Sequence, residues 1–246
     1  SSMLALYPDL VVSNVTAPPT GLPGQPIDVT WTVANNGAVA APGPWTDQVF
    51  LIDDANANAA QLLGSFTFDP ALAVGASSNV MRSVTLPFFT VGTRRLAVRA
   101  NSGPAFYEPN LTNNYLTAAA TIALSARLEL TLNRTRVSEN GGTNSVFATV
   151  QRNSNMAGDL TVTLTASDAN SMDLPDTIVI PAGQTYRTFA VALADNGLVD
   201  SNRTVALGAG AAGFASATVN LLVEDDDLPS LTLQLTPSQV NEDAGP

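Results

Sequence analysis

The chain has 246 residues, more than one ordinary sandwich needs, and its 45% hydrophobic and 13% charged content is apolar enough to fold, so it reads as two domains. It contains no Cys, no His and no Lys, which excludes disulfides, thiolate and imidazole metal sites, Ser-His, Cys-His and Ser-Lys nucleophile systems, and Lys-Asn isopeptide staples. The net charge of −11 argues against nucleic acid as a partner, and no apolar run approaches the roughly 18 residues of a membrane span.

The opening residues 1–8 lack the basic region and length of a signal peptide and read as a linker remnant. From Asp9 the chain shows short runs of alternating β-branched or aromatic residues, bounded by Gly, Pro, Asn and Asp. Strands are predicted at Leu10 to Val15, Ile27 to Val33, Gln48 to Ile52, Leu62 to Phe68, Asn79 to Leu86, Arg94 to Ala100 and Tyr115 to Ile122. In the second of these, Ile27, Val29, Trp31 and Val33 share one face, so Trp31 is a core anchor, and Asn35-Asn36-Gly37 marks the turn that follows. Between strands, Asp53-Asp54-Ala55-Asn56-Ala57-Asn58 resembles the start of an EF-hand loop, but the Gly and Glu that such a loop requires are Ala59 and Ser65, so a polar hairpin is expected.

A second series covers Leu128 to Leu132, Ser145 to Gln151, Leu160 to Thr165, Thr177 to Ile180, Thr188 to Leu193, Arg203 to Gly208 and Ala215 to Val223. No helical period interrupts either series, so the expected fold is all-β, two immunoglobulin-like antiparallel β-sandwiches in tandem, over residues 9–124 and 127–227. The boundary at Ala123 to Ala126 has no flexible Gly/Ser or Pro tract, which predicts a restricted orientation between the modules. Leu128-Glu129-Leu130-Thr131-Leu132 and Val137-Ser138-Glu139-Asn140-Gly141-Gly142 reappear 103 residues later as Leu231-Thr232-Leu233-Gln234-Leu235 and Val240-Asn241-Glu242-Asp243-Ala244-Gly245. An offset of one sandwich length marks residues 228–246 as the first strand region of a further repeat.

Acidity is uneven. Residues 1–124 carry 7 acids against 4 Arg, and residues 125–246 carry 14 against 6. Carboxylates that a fold gathers into one place repel unless a cation neutralises them, so the second half is where a metal is expected.

Residues 128–227 resemble the Calx-beta domain. The resemblance rests on Val137-Ser138-Glu139-Asn140-Gly141-Gly142, Thr165-Ala166-Ser167-Asp168, Asp173-Leu174, Ile180-Pro181-Ala182-Gly183-Gln184-Thr185, Asp195-Asn196, Asp200 and Glu224-Asp225-Asp226-Asp227. Residues 9–122 resemble the CARDB family of cell-adhesion-related bacterial modules. That likeness is carried by Asp9-Leu10-Val11-Val12, Gly24-Gln25-Pro26-Ile27, Val29-Thr30-Trp31-Thr32-Val33, Trp45-Thr46-Asp47, Tyr107-Glu108-Pro109-Asn110 and Asn113-Asn114. Both families are immunoglobulin-like sandwiches, and the resemblances imply a non-catalytic adhesion or scaffold segment of a large secreted or cell-surface bacterial protein. Its implied partners are the neighbouring modules and a surface or matrix protein or glycan.

The Calx-beta resemblance further implies a calcium site at one end of the sandwich, with Glu139, Asp168, Asp195, Asp200, Asp225, Asp226 and Asp227 as ligands and Asp173 in support. It places Glu242 or Asp243 near an ion between modules. The sequence departs from the strongest binders, since Asn196 replaces a second carboxylate, Asp200 a longer Glu, and Arg203 an acid. One or two ions are therefore expected, bound at roughly 10⁻⁴ to 10⁻³ M. The alternative for these acids is solvated loop caps and Asx turns. For Glu108, Asn110, Asn113 and Asn114 the same choice, an ion or a shaped loop, favours the loop.

Two other function classes stay open. A carbohydrate-binding or protein-binding module attached to an enzyme elsewhere would use an exposed aromatic such as Trp45, Phe106 or Tyr107, although core packing is the simpler role for aromatics in strand runs. An enzyme could use Asp195 and Asp200 as paired carboxylates. Sequons at Asn14, Asn110, Asn133 and Asn202 are expected by chance in a chain rich in Asn and Thr.

Overall fold

Residues that alternate between apolar and polar satisfy a strand that buries one face, and both predicted series fold this way. The structure, a computed structural model, describes residues 6–53, 56–142, 145–229 and 231–234, with 56–58 described in backbone only. The first series gives β1 (Leu10–Thr16), β2 (Thr20–Gly21), β3 (Pro26–Asn35), β4 (Trp45–Asp53), β5 (Asn56–Phe68), β6 (Ser77–Thr85), β7 (Gly92–Arg99), β8 (Tyr115–Thr117) and β9 (Ile122–Leu124). One sheet has the order β1-β3-β6; the facing sheet has the order β2-β9-β7-β4-β5, with β8 also on β7. The predicted single run from Tyr115 to Ile122 divides into β8 and β9. Thr117 pairs with Ala97 but Ile122 with Arg94, so two extra residues bulge out between them.

Ile27, Val29, Trp31 and Val33 all face the first core, as their period of two requires. Trp45 is 2% exposed, stacked on Phe68 at 4.3 Å and edge-on to Phe106 at 6.0 Å, so it serves the core. Between the two tryptophans lies Asp47, itself buried. Its Oδ2 accepts the Trp31 indole N–H at 3.1 Å and its Oδ1 that of Trp45 at 2.9 Å. Burial outweighs these bonds and pushes the Asp47 carboxyl from 3.8 up to about 6. The protonated form is thus favoured in the folded state: the associated stability is complete below 3.8 and is lost as pH rises through 6, about 3 kcal/mol in all. Both tryptophans of the chain contact Asp47, so urea unfolding followed by indole fluorescence reports this module alone. It should show higher stability at pH 4.5 than at pH 7.5, with a smaller difference in Asp47→Asn; an equal difference in both proteins would rule out Asp47 as the source.

Glu108 is 4% exposed and joins three segments: Oε2 accepts the backbone N–H of Leu10 at 2.5 Å, and Oε1 accepts the side-chain amides of Asn101 at 2.7 Å and Asn114 at 2.8 Å. Asn113 donates to Asp9 Oδ1 at 3.0 Å, and Asn110 Oδ1 accepts the Thr112 N–H at 3.1 Å. These groups shape the loop, as the simpler expectation had it. At the end of β4, Asp53 pairs with Arg94 on the neighbouring β7 at 3.4 Å.

The second series gives β10 (Leu128–Leu132), β11 (Arg136–Ser138), a 3-10 turn at Glu139–Gly141, β12 (Val146–Arg152), β13 (Leu160–Ala166), β14 (Met172–Asp173), β15 (Thr177–Ile180), β16 (Tyr186–Leu193), β17 (Arg203–Gly210) and β18 (Ala217–Glu224). A β10-β12-β16-β14 sheet faces a β11-β18-β17-β13-β15 sheet across a second, separate apolar core. Residues 228–229 and 231–234 are not in a strand, Leu228, Leu231 and Leu233 are exposed, and the rest of the predicted further repeat, Glu242 and Asp243 included, lies outside the described residues.

Two arginines organise the end of this sandwich nearest the first module. Arg152, at the end of β12, is 1% exposed and forms no ion pair among the described residues. It donates to four carbonyls: Nε to Gln184 at 2.9 Å, Nη1 to Asn155 at 3.0 Å and Gly158 at 2.8 Å, and Nη2 to Pro181 at 2.9 Å. Arg127 lies in the three-residue link between β9 and β10. Its Nη1 donates to the Pro23 carbonyl at 2.9 Å and its guanidinium lies 5.7 Å from the Phe88 ring centre, so it bridges the modules.

Candidate functional site

The strand registers carry the acidic residues to the opposite end of the second sandwich. β11 runs parallel to β18 with Ser138 opposite Glu224, which sets Glu139 beside Asp225. β16 ends at Leu193 just before Asp195, β17 begins at Arg203 just after Asp200, and β13 ends at Ala166 just before Asp168. One carboxylate oxygen from each of Glu139, Asp195 and Asp227 lies within 4.8 Å of the others, and the same holds for Glu139, Asp200 and Asp225. Five of the seven predicted ligands thus meet in two triads sharing Glu139. Asp168 and Asp226 join neither triad, and Asp173 is exposed on β14.

Glu139 is fully buried. Its Oε2 accepts Arg203 Nη2 at 2.5 Å, while its Oε1 has no hydrogen-bond donor among the described residues; Asp227 Oδ2 is likewise buried without one. Burial pushes the Glu139 carboxyl up, more than Arg203 lowers it, and Asp200 and Asp225 add to the rise. Asp227 is raised as well, by burial first and then by Asp195, Asp225 and Asp226, against a smaller lowering from its side-chain hydrogen bond with Glu139.

The remaining acids have local work. Asp168 accepts the Ser171 hydroxyl on Oδ2 and the Asn170 N–H on Oδ1 at 3.0 Å, and these bonds, Ser171 foremost, hold it below the usual carboxylate range. Asp226 Oδ2 accepts the Asn140 amide. Asp195 Oδ1 accepts the Gly197 N–H at 3.0 Å in an Asx turn.

Arg203 is the centre that sequence reasoning undervalued as a mere loss of negative charge. Besides Glu139 it reaches both oxygens of Asp200 from Nη1, at 3.2 and 3.3 Å, and Nε donates to Ser171 Oγ at 2.6 Å. The predicted strand stops at Gln151 and so leaves out Arg152. The alternation of Val146, Ala148 and Val150 inward puts residue 152 on the core face, and that signal was available.

Two β-sandwich modules, the second with an acidic end, define the chain. Residues 7–118 match the CARDB family model and form a CARDB domain. The crystal structure of the CARDB domain of a Pyrococcus furiosus protein, in complex with di-metal ions, is similar at 17% identity over 50% of this chain and 97% of that one, with a TM-score of 0.38. The solution structure of the same Pyrococcus furiosus domain gives 19% identity, 48% and 95% coverage and a TM-score of 0.36. A Listeria innocua β-glucosidase in complex with isofagomine gives 17% identity over 48% of this chain and 16% of its own length, at a TM-score of 0.34. None of the curated proteins matches the chain.

Proposed function

We propose that the chain is a non-catalytic structural and adhesive segment of a larger secreted or cell-surface protein, in which a CARDB domain is followed by a Calx-beta-type module stiffened by calcium at its acidic end. The observation that carries the metal reading is the pair of buried carboxylate oxygens, Glu139 Oε1 and Asp227 Oδ2, which have no donor among the described residues except a proton held between the two carboxyls themselves. An unpaired buried carboxylate oxygen is costly, and an oxygen-rich set on loops suits a hard cation. The Calx-beta assignment of residues 128–227 rests on their motifs. Calcium bound to the folded state alone stabilises it by mass action and ties the β11 turn, the segment before β17 and the tail of β18 into one body.

Thermal unfolding in EDTA, in 5 mM calcium and in 5 mM magnesium tests this. Binding at roughly 10⁻⁴ to 10⁻³ M stabilises the module by about 1–2 kcal/mol, a rise of several degrees in its midpoint. The rise should be specific to calcium and absent in Asp227→Asn. Since Glu139 and Asp227 both take protons more readily than free carboxyls, protons compete with the ion, and the calcium-induced rise should shrink from pH 7.5 to pH 5. Coincident melting in all three media would defeat the metal reading.

A second reading, a glycan-binding module beside an enzyme elsewhere in the parent protein, draws on one feature. Tyr107 is 65% exposed with its ring set edge-on to Tyr7 at 4.7 Å, an arrangement that offers a sugar an apolar face. A glycan array with Tyr107→Ala as control decides it: binding lost in the variant supports this reading, and no binding removes it.

A further inference from the structure

The two acidic triads are not equivalent. In the Glu139–Asp200–Asp225 triad the oxygens are already engaged. Glu139 Oε2 takes Arg203 Nη2, both oxygens of Asp200 take Arg203 Nη1, and Asp200 Oδ2 also accepts the Asn196 amide at 3.1 Å. Asp225 accepts the backbone N–H of Asp200 at 3.1 Å and that of Asp227 at 3.4 Å. In the Glu139–Asp195–Asp227 triad, Asp195 Oδ1 accepts the Gly197 N–H at 3.0 Å, but Glu139 Oε1 and Asp227 Oδ2 are buried and face each other with no arginine or amide donor among the described residues.

We infer that Arg203 is a resident cation filling the first of these triads, so that the acidic end takes one divalent ion, at Glu139, Asp195 and Asp227, and not two. The inference rests on the metal reading proposed above. The guanidinium is fixed from behind by the Nε bond to Ser171, a residue 2% exposed, which in turn donates to Asp168. A dication in the Asp200 triad would have to strip Glu139 and Asp200 from the guanidinium and then sit beside it, with like charges held close in a partly dry site. A dication in the Asp227 triad meets no such competitor and uses the Glu139 oxygen that Arg203 leaves free. Glu139 then bridges a fixed positive charge and an exchangeable one, so half of the acidic end is ordered before any ion arrives. Arg203 sets the ion count by its charge.

Calcium titration of the full chain by isothermal calorimetry, with terbium luminescence as a second count, tests this. The native chain should bind one ion, Asp227→Asn should weaken binding about tenfold or more, and Asp225→Asn at most about threefold. Arg203→Gln, which removes the charge, should bind two ions, while Arg203→Lys should still bind one. Two ions in the native chain, or one in a folded Arg203→Gln, would overturn the assignment to Arg203 and leave the metal reading standing. If Arg203→Gln fails to fold, the native count and the order of the Asp225 and Asp227 effects still decide. No binding by the native chain would overturn both.

Discussion

Replacing Glu108 by Ala should cost the first module about 3–5 kcal/mol, because it leaves three buried donors unsatisfied at about 1–3 kcal/mol each, partly relieved by water. Three donors lose their acceptor at once: the Leu10 N–H that opens β1, and the Asn101 and Asn114 amides that shape the loop between β7 and β8. Asn101 lies in the left-handed region at φ 47°, and its Oδ1 accepts the Ala105 N–H at 2.8 Å, so freeing its amide loosens a turn already held in a sparse conformation. Such a loss is a large part of the 5–15 kcal/mol of a typical domain. Urea unfolding followed by tryptophan fluorescence measures it. A cost below about 1 kcal/mol would mean that water reaches the three donors and that Glu108 is not the bracket described. Glu108→Gln should be intermediate, because one acceptor oxygen remains while the new amide points a donor at donors.

Arg152 should have an effect of similar size in the second module. Its four carbonyl partners lie in two loops, 153–159 and 181–185, that have few other reasons to stay together. The Gly183 N–H to Met156 carbonyl bond at 2.7 Å is one of them. Arg152→Met keeps the apolar stem and removes the fork, leaving four carbonyls to find water at about 1–3 kcal/mol for each that stays dry, and should cost about 3–5 kcal/mol. Arg152→Lys should rescue little of this, since an ammonium has three donors at one point and cannot span carbonyls on both sides of a planar group. Differential scanning calorimetry distinguishes the modules. The transition raised by calcium should be lowered by both Arg152 variants, and the transition tracked by tryptophan fluorescence should stay put. A Lys variant as stable as the native chain would show that charge, not the fork, holds the loops.

Much of the fold was legible because a half-buried strand writes itself as alternation, and fourteen runs of that kind stand between Leu10 and Val223. What alternation cannot reveal is a strand too short to alternate. β2 is Thr20–Gly21 and β11 is Arg136–Ser138, and each exists only because a distant strand offers it a parallel partner. The acids were legible as a set, since their number in the second half is out of proportion. Their grouping was not. Which oxygens meet depends on Ser138 pairing with Glu224 and on where an arginine's five donors end, and neither leaves a trace in spacing. Asp47 shows a middle case: residues 45 and 47 share a strand face with the core, so an acid beside two indoles could have been noticed, but its bonds to both rings required the second strand.

The parallel pairs β2–β9 and β11–β18 join an early strand of each module to its last one. When the chain is pulled from its two ends, the paired strands of each module are drawn in opposite senses along their own axes. The ladder between them is then loaded in shear, with every bond sharing the force, and cannot open one bond at a time like a zipper. Forced unfolding follows the rate of crossing the first barrier and not the equilibrium stability, so a ladder of only two or three residues can govern how each module yields under tension.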